Sequence, residues 1–196
     1  MIRKFATIVA IGAGLVLFSG CASAFVATPV ADAVKQLTES APPEYAALVA
    51  DGDVSADDYQ AGFELFSDCM NAQGQTVSEP HLSPVDGMAL VWEATPGAGR
   101  AATEYSADLA DCYDPYGTLE AIYNETGPGQ MDEPLRAATQ ECLAAEGYQV
   151  PDTALNTTDM RAYVDGDPVE QLTVLTDCIV PAATKLYPDI PAFPIH

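Results

Sequence analysis

The stretch DCMNAQGQTV, Asp68 to Val77, returns as ECLAAEGYQV, Glu141 to Val150. Five columns agree in kind: an acid, a cysteine (Cys69, Cys142), an apolar residue, then Gly74 or Gly147, then Val77 or Val150. Each phrase closes a stretch of helical pattern. Ahead of the first, Tyr59, Phe63, Phe66 and Met70 recur at helical spacing. Ser55 with Asp58 three residues on is an N-cap signature, and Gly74 stands where a helix would stop. DEPLRAATQECLAAEG, stopped by Gly147, is the matching helix of the second half.

The segments downstream of the two phrases match as well. Short extended pieces lead to another helix carrying a second cysteine, in LADC ending at Cys112 and in LTDC ending at Cys178. One unit, helix–Cys–Gly, extended segment, helix–Cys, is therefore written twice. The expected fold is α+β, helix-dominated with short strands, in two related helix–extended–helix units over 44–129 and 130–196. Gly127-Pro128-Gly129 marks the division. In the first unit Pro84-Val85-Asp86-Gly87 signals a turn between two strands, the second within MALVWEA. GRAATEYSADLADCYDPYG reads as one helix and TLEAIYNET as a further one. In the second unit YQVPDTALNTTDMRAYVDGDP reads as extended pieces and a turn. PVEQLTVLTDCIVPAATKLYP reads as a helix bent at Pro181.

Units of this size bury little surface alone, which is why small exported modules are commonly stapled. Of five cysteines, Cys21 belongs to the N-terminal signal, leaving Cys69, Cys112, Cys142 and Cys178. Three connectivities are possible. The repetition favours Cys69 with Cys112 and Cys142 with Cys178, each closing a loop of about 40 residues, for which chain entropy gives roughly 4 kcal/mol. A zinc site would want close-spaced soft ligands, but no CxxC occurs and the two histidines are His81 and His196.

The N-terminus MIRKFATIVAIGAGLVLFSGCAS has a charged start, an apolar run and then small residues, the pattern of an export signal. The run falls short of the roughly 20 residues that span a bilayer. LFSGC resembles a bacterial lipobox, departing from it at Phe18, where Leu, Val or Ile is usual, and would make 1–20 a signal peptide and Cys21 the lipidated residue. Cleavage after Ala22-Ser23-Ala24 is the alternative and would release a soluble secreted protein. Residues 21–43 read as a tether with one possible short helix, ADAVKQLTES.

Twenty-nine acids against seven bases give a formal net charge of −22. That excludes nucleic acid as a partner, because phosphate binding needs clustered Lys and Arg. It also opposes adsorption to anionic lipid, so membrane attachment would be covalent, through Cys21. The acids are scattered and read as a solvated surface.

LVADGDVSADDYQAGFELFSDCMNAQG resembles a segment of uncharacterised actinobacterial exported proteins and lipoproteins. The matching positions are Leu48, Asp51, Gly52, Val54, Ser55, Asp58, Tyr59, Cys69 and Gly74. The resemblance implies an envelope lipoprotein on the outer face of the cell membrane and implies no activity.

Candidate chemistry is sparse. DGDVSADDY imitates the back half of a calcium-binding EF-hand loop, with Asp51, Asp53, Ser55 and Asp58 as the candidate ligands. The front half has Ala47 and Val49 where ligands are due, and Gly52 and Ser55 also read as a helix stop and a helix cap. VDGDP, Val164 to Pro168, reads as a turn into a helix. His81 has no nucleophile motif near it. Trp92 with Tyr105, Tyr113, Tyr116, Tyr123 and Tyr148 could line a groove, with core packing the better reading for most. The expectation is a non-enzymatic envelope lipoprotein displaying an acidic binding or accessory domain, without a cofactor and with an envelope protein as its candidate partner. A small carboxylate-dependent enzyme is the alternative from another class.

Overall fold

The computed structural model describes residues 30–127 and 129–195; the leader, Cys21 and His196 lie outside them. Among the described residues, seven helices and four two-residue strands run in the order α1 (Val30–Ser40), α2 (Pro43–Leu48), α3 (Ala56–Ala72), β1 (Thr76–Val77), β2 (His81–Leu82), β3 (Leu90–Val91), β4 (Ala94–Thr95), α4 (Ala102–Asn124), α5 (Glu133–Ala145), α6 (Thr157–Arg161) and α7 (Pro168–Leu186). The α+β, helix-dominated architecture is the one the sequence pattern requires.

The repeated phrase is a helix stop. In α3 the amide of Gln75 donates to Met70 O at 3.0 Å and that of Gly74 to Asn71 O at 2.9 Å. In α5 Tyr148 N donates to Leu143 O at 2.9 Å and Gly147 N to Ala144 O at 3.1 Å. Both are Schellman terminations, and both need a left-handed residue, supplied by Gly74 at φ 78° and Gly147 at φ 99°. A Cβ at either position would meet nothing within 4 Å. Gly74→Ala and Gly147→Ala should therefore each cost only the backbone term, about 1 kcal/mol. Urea unfolding checks this: a loss of several kcal/mol would mean a steric role that the open surroundings deny.

The repetition also extends further than the two phrases. Asp111-Cys112 and Asp177-Cys178 are each followed three residues on by proline (Pro115, Pro181) and three more on by threonine (Thr118, Thr184). Both prolines lie inside their helices, and both threonine hydroxyls donate four residues back, to Asp114 O at 3.0 Å and Val180 O at 2.8 Å. Cys69 is bonded to Cys112 and Cys142 to Cys178, with Cα atoms 5.7 and 5.6 Å apart. Each bridge ties the helix before the Schellman turn to the proline-bearing helix, α3 to α4 and α5 to α7.

Two buried clusters form around these pairs. The first runs from Ala33 to Ile122 and is centred on Phe66, Met70, Tyr116 and Leu119; the second holds Leu135, Leu143, Met160, Leu175 and Ile179. Among the described residues no helix of α1–α4 packs on a helix of α5–α7. The link is a loop. Val85 leaves the first unit's strand connection to sit in the second cluster, and Gln130 N and Asp132 N donate to Asp86 O and Pro84 O at 2.7 and 2.9 Å.

Three elements correct the sequence reading. The short helix read in ADAVKQLTES is α1, but it belongs to the first unit rather than to a tether: Ala33 and Leu37, four apart on one face, are buried against α4. GRAATEYSADLADCYDPYG and TLEAIYNET are one helix, not two. Pro115 removes a single amide, while Cys112, Tyr116, Leu119 and Ile122 carry one buried stripe past it, and packing outweighs the local break. The second unit's connecting segment contains the short α6 rather than only extended pieces: Asn156 caps it by accepting from Asp159 N at 2.8 Å, and Met160 pins it in the core.

The first unit's strands are one interrupted hairpin. Thr76 pairs with Thr95 and Val77 with Ala94, then the register slips by one residue so that His81 faces Val91 and Leu82 faces Leu90. The extra residue falls beside Glu79-Pro80, a bulge that bends the ribbon over α3.

Candidate functional site

Cys21 and His196 lie outside the described residues. His81 sits on the exposed strand β2 opposite Val91. The residues of the incomplete calcium loop serve the backbone. Ser55 and Asp58 close a capping box, with Ser55 N donating to Asp58 Oδ2 at 3.0 Å and Asp58 N to Ser55 Oγ at 3.2 Å. Asp53 Oδ1 accepts from Val54 N, and Asp51 Oδ1 from Asp53 N. Among the described residues no three His, Cys, Asp or Glu side chains are grouped so as to hold a metal ion. VDGDP is the turn expected: Asp167 caps α7 by accepting from Val169 N and Glu170 N.

The aromatic residues come together more tightly than spacing suggests. Tyr59 donates to Glu120 Oε1 and Tyr113 to Glu120 Oε2, both at 2.7 Å. Tyr116 donates to Tyr59 Oη at 3.0 Å, and Leu90 N donates to the same oxygen at 3.2 Å, joining α3, α4 and β3. Tyr123 stacks on Tyr59 at 4.5 Å, and Trp92 lies 4.7 Å from Phe66. Tyr105 donates to Ala94 O at 3.0 Å, and Tyr148 packs on the second core. At the edge of this network Trp92, Tyr113, Glu120 and Asn124 line a cleft of about 410 Å³, closed on one side by Phe193 and Pro194 of the C-terminal tail. The role of Glu120 escaped sequence reasoning, because its partner Tyr59 is 61 residues away.

Burial, and then the charge of Glu120, push the Tyr59 and Tyr113 phenols far up from their ordinary value; burial and the neighbouring Tyr59 do the same to Tyr116. At neutral pH these phenols act as hydrogen-bond donors. Tyrosines of the unfolded chain ionise near pH 10, whereas these keep their protons to higher pH. Above about pH 10 the unfolded state therefore binds fewer protons, so the stability present below that pH is lost as pH rises. Phenolate absorbance and helical circular dichroism should change together in an alkaline titration. Full ionisation near pH 10 with the helices intact would contradict the buried network.

A second hollow, of about 350 Å³, lies where α1 and α2 meet α3 and α4. Leu37, Tyr45, Leu65 and the Cys69–Cys112 bridge make its apolar surface, and Glu44, Asp111 and Asp114 bring carboxylates to its lining. A third feature is structural. Buried Gln75, of the repeated phrase, donates through Nε2 to Asp108 at 2.6 Å and accepts from Gly97 N at 2.9 Å. The Gln75 bond, then the ion pair with Arg100, hold the Asp108 carboxyl below the usual range.

These features define a disulfide-stapled α+β module with a hollow walled by first-unit helices and an aromatic-edged cleft that the C-terminal tail helps to close. Comparison with family models, with curated proteins and with solved structures finds no match for the chain.

Proposed function

We propose that the protein is a lipid-anchored extracytoplasmic binding protein, non-enzymatic, held at the outer face of the cell membrane through Cys21 and displaying the stapled module. The observation that carries the reading is the pair of disulfides behind an export leader. Four cysteines joined within their own units fit an oxidising compartment. The Ser-Gly-Cys that ends the leader supplies the anchor. The resemblance of Leu48 to Gly74 to segments of actinobacterial envelope lipoproteins points the same way. Anchoring and fold use different cysteines, so they separate experimentally.

Cys21→Ser should move the protein from the membrane pellet to the soluble fraction while both bridges still form. Release of an unlipidated chain starting at Phe25, with or without the substitution, would favour the secreted alternative. Membrane association that survives Cys21→Ser would end the lipid-anchor reading.

A further inference from the structure

We propose that the hollow beside the Cys69–Cys112 bridge is a binding site for a small organic cation with an apolar body, such as an aryl- or alkylammonium compound. The proposal rests on the reading of the module as a binding protein and names its ligand class. The two units share helix stop, bridge, proline and threonine, but α1 and α2 precede only the first. By packing on α3 and α4 they turn a helix-pair surface into a walled hollow.

Its volume, about 350 Å³, falls within the range of small-molecule sites. Leu37 and Tyr45 are buried at its base, and Leu65 and Cys69 are half-buried along its side. An apolar body entering there displaces water from hydrocarbon and sulfur.

The polar lining selects the charge. Glu44, Asp111 and Asp114 are exposed, and their carboxylates make no hydrogen bond or ion pair among the described residues. Among those residues no Lys, Arg or His lines the hollow. Residue 115 is proline, so the carbonyl of Asp111 has no amide four residues on to accept from. The lining offers acceptors around an apolar floor, and a chain of net charge −22 adds a field that draws cations and repels anions. An ammonium head with an apolar tail answers both halves of that chemistry. An anion answers neither.

The test is calorimetric titration of the soluble Cys21→Ser protein with three probes sharing one ring: phenethylammonium, phenethyl alcohol and 3-phenylpropionate. The cation should bind about tenfold more tightly than the alcohol, because three exposed carboxylates attract the ammonium and not the hydroxyl. The propionate should bind least. Combining Glu44→Gln, Asp111→Asn and Asp114→Asn should bring the cation to the affinity of the alcohol, and raised salt should do so in part. Ser40→Trp, at an exposed position on the lining, should block both probes while leaving the bridge and the melting temperature unchanged. Equal binding of all three probes would overturn the proposal. So would absence of cation binding to the folded protein, or cation binding undiminished in the triple or Ser40→Trp variant. Fractionation of wild type against Cys21→Ser tests the anchor separately, so failure of one is not read as failure of the other.

Discussion

Replacing Cys69 and Cys112 together by alanine should lower the stability of the first unit by about 4 kcal/mol. Its bridge closes a separation of 43 residues, for which the loss of unfolded-chain entropy has that size. The Cys142–Cys178 bridge closes 36, and since the dependence is logarithmic its removal should cost nearly as much. Domains of ordinary size carry about 5–15 kcal/mol in all, so either loss should leave its unit close to unfolding at body temperature. The effect should also be local. No helix of α1–α4 packs on one of α5–α7 among the described residues, and each bridge joins helices of its own cluster. Hydrogen exchange should show α3 and α4 losing protection in the first variant while α5 and α7 keep theirs, and the reverse in the second. Equal loss across both halves would mean that Val85, with the amides of Gln130 and Asp132 bound to its loop, couples the units into one cooperative body.

The parts of the fold that could be read in the chain were those written twice. Cys69 and Cys142 sit at the same distance before Gly74 and Gly147, and a left-handed stop after a buried stripe has few interpretations. The pairing followed because two copies of one unit imply two copies of one bridge. What could not be read depended on partners far along the chain. ADAVKQLTES reads as a short helix, but nothing in it says that Ala33 and Leu37 carry it into the core, because the α4 surface they bury against lies about 80 residues on. Pro115 reads as a break by local rule, and only the buried stripe on both sides of it shows why the helix continues. The clefts were beyond reach for the same reason. Glu120 is one acid among many until Tyr59 and Tyr113 close on it. Glu44 and Asp111 meet one hollow only through α2 packing on α4.

Phe66→Ala should cost about 3–5 kcal/mol, the range for emptying an aromatic side chain from a packed core. Phe66 is fully buried, with ring centroids of Trp92 at 4.7 Å, Tyr116 at 5.4 Å and Phe63 at 5.9 Å. The second unit explains why so large a ring is needed at this place. Aligning Cys69 with Cys142 sets Gly62 against Leu135 and Phe66 against Thr139, and all four are buried. The first helix writes small then large, one turn apart, and the second writes large then small. The first core needs Gly62 because Leu119 lies against it, where an added Cβ would come within 2.2 Å of Leu119 Cδ2. Phe66 then fills the space one turn on. In the second core Leu135 takes the large role, and Thr139 needs only a weak bond to Met131 Sδ at 3.8 Å. Trp92, the only tryptophan, reports the outcome directly. With Phe66 removed its emission should shift toward that of a solvated indole, while α5 and α7 keep their exchange protection. A loss below about 1 kcal/mol would mean that the first core collapses onto the vacancy, and that the exchange of large and small residues between the units is not what shapes them.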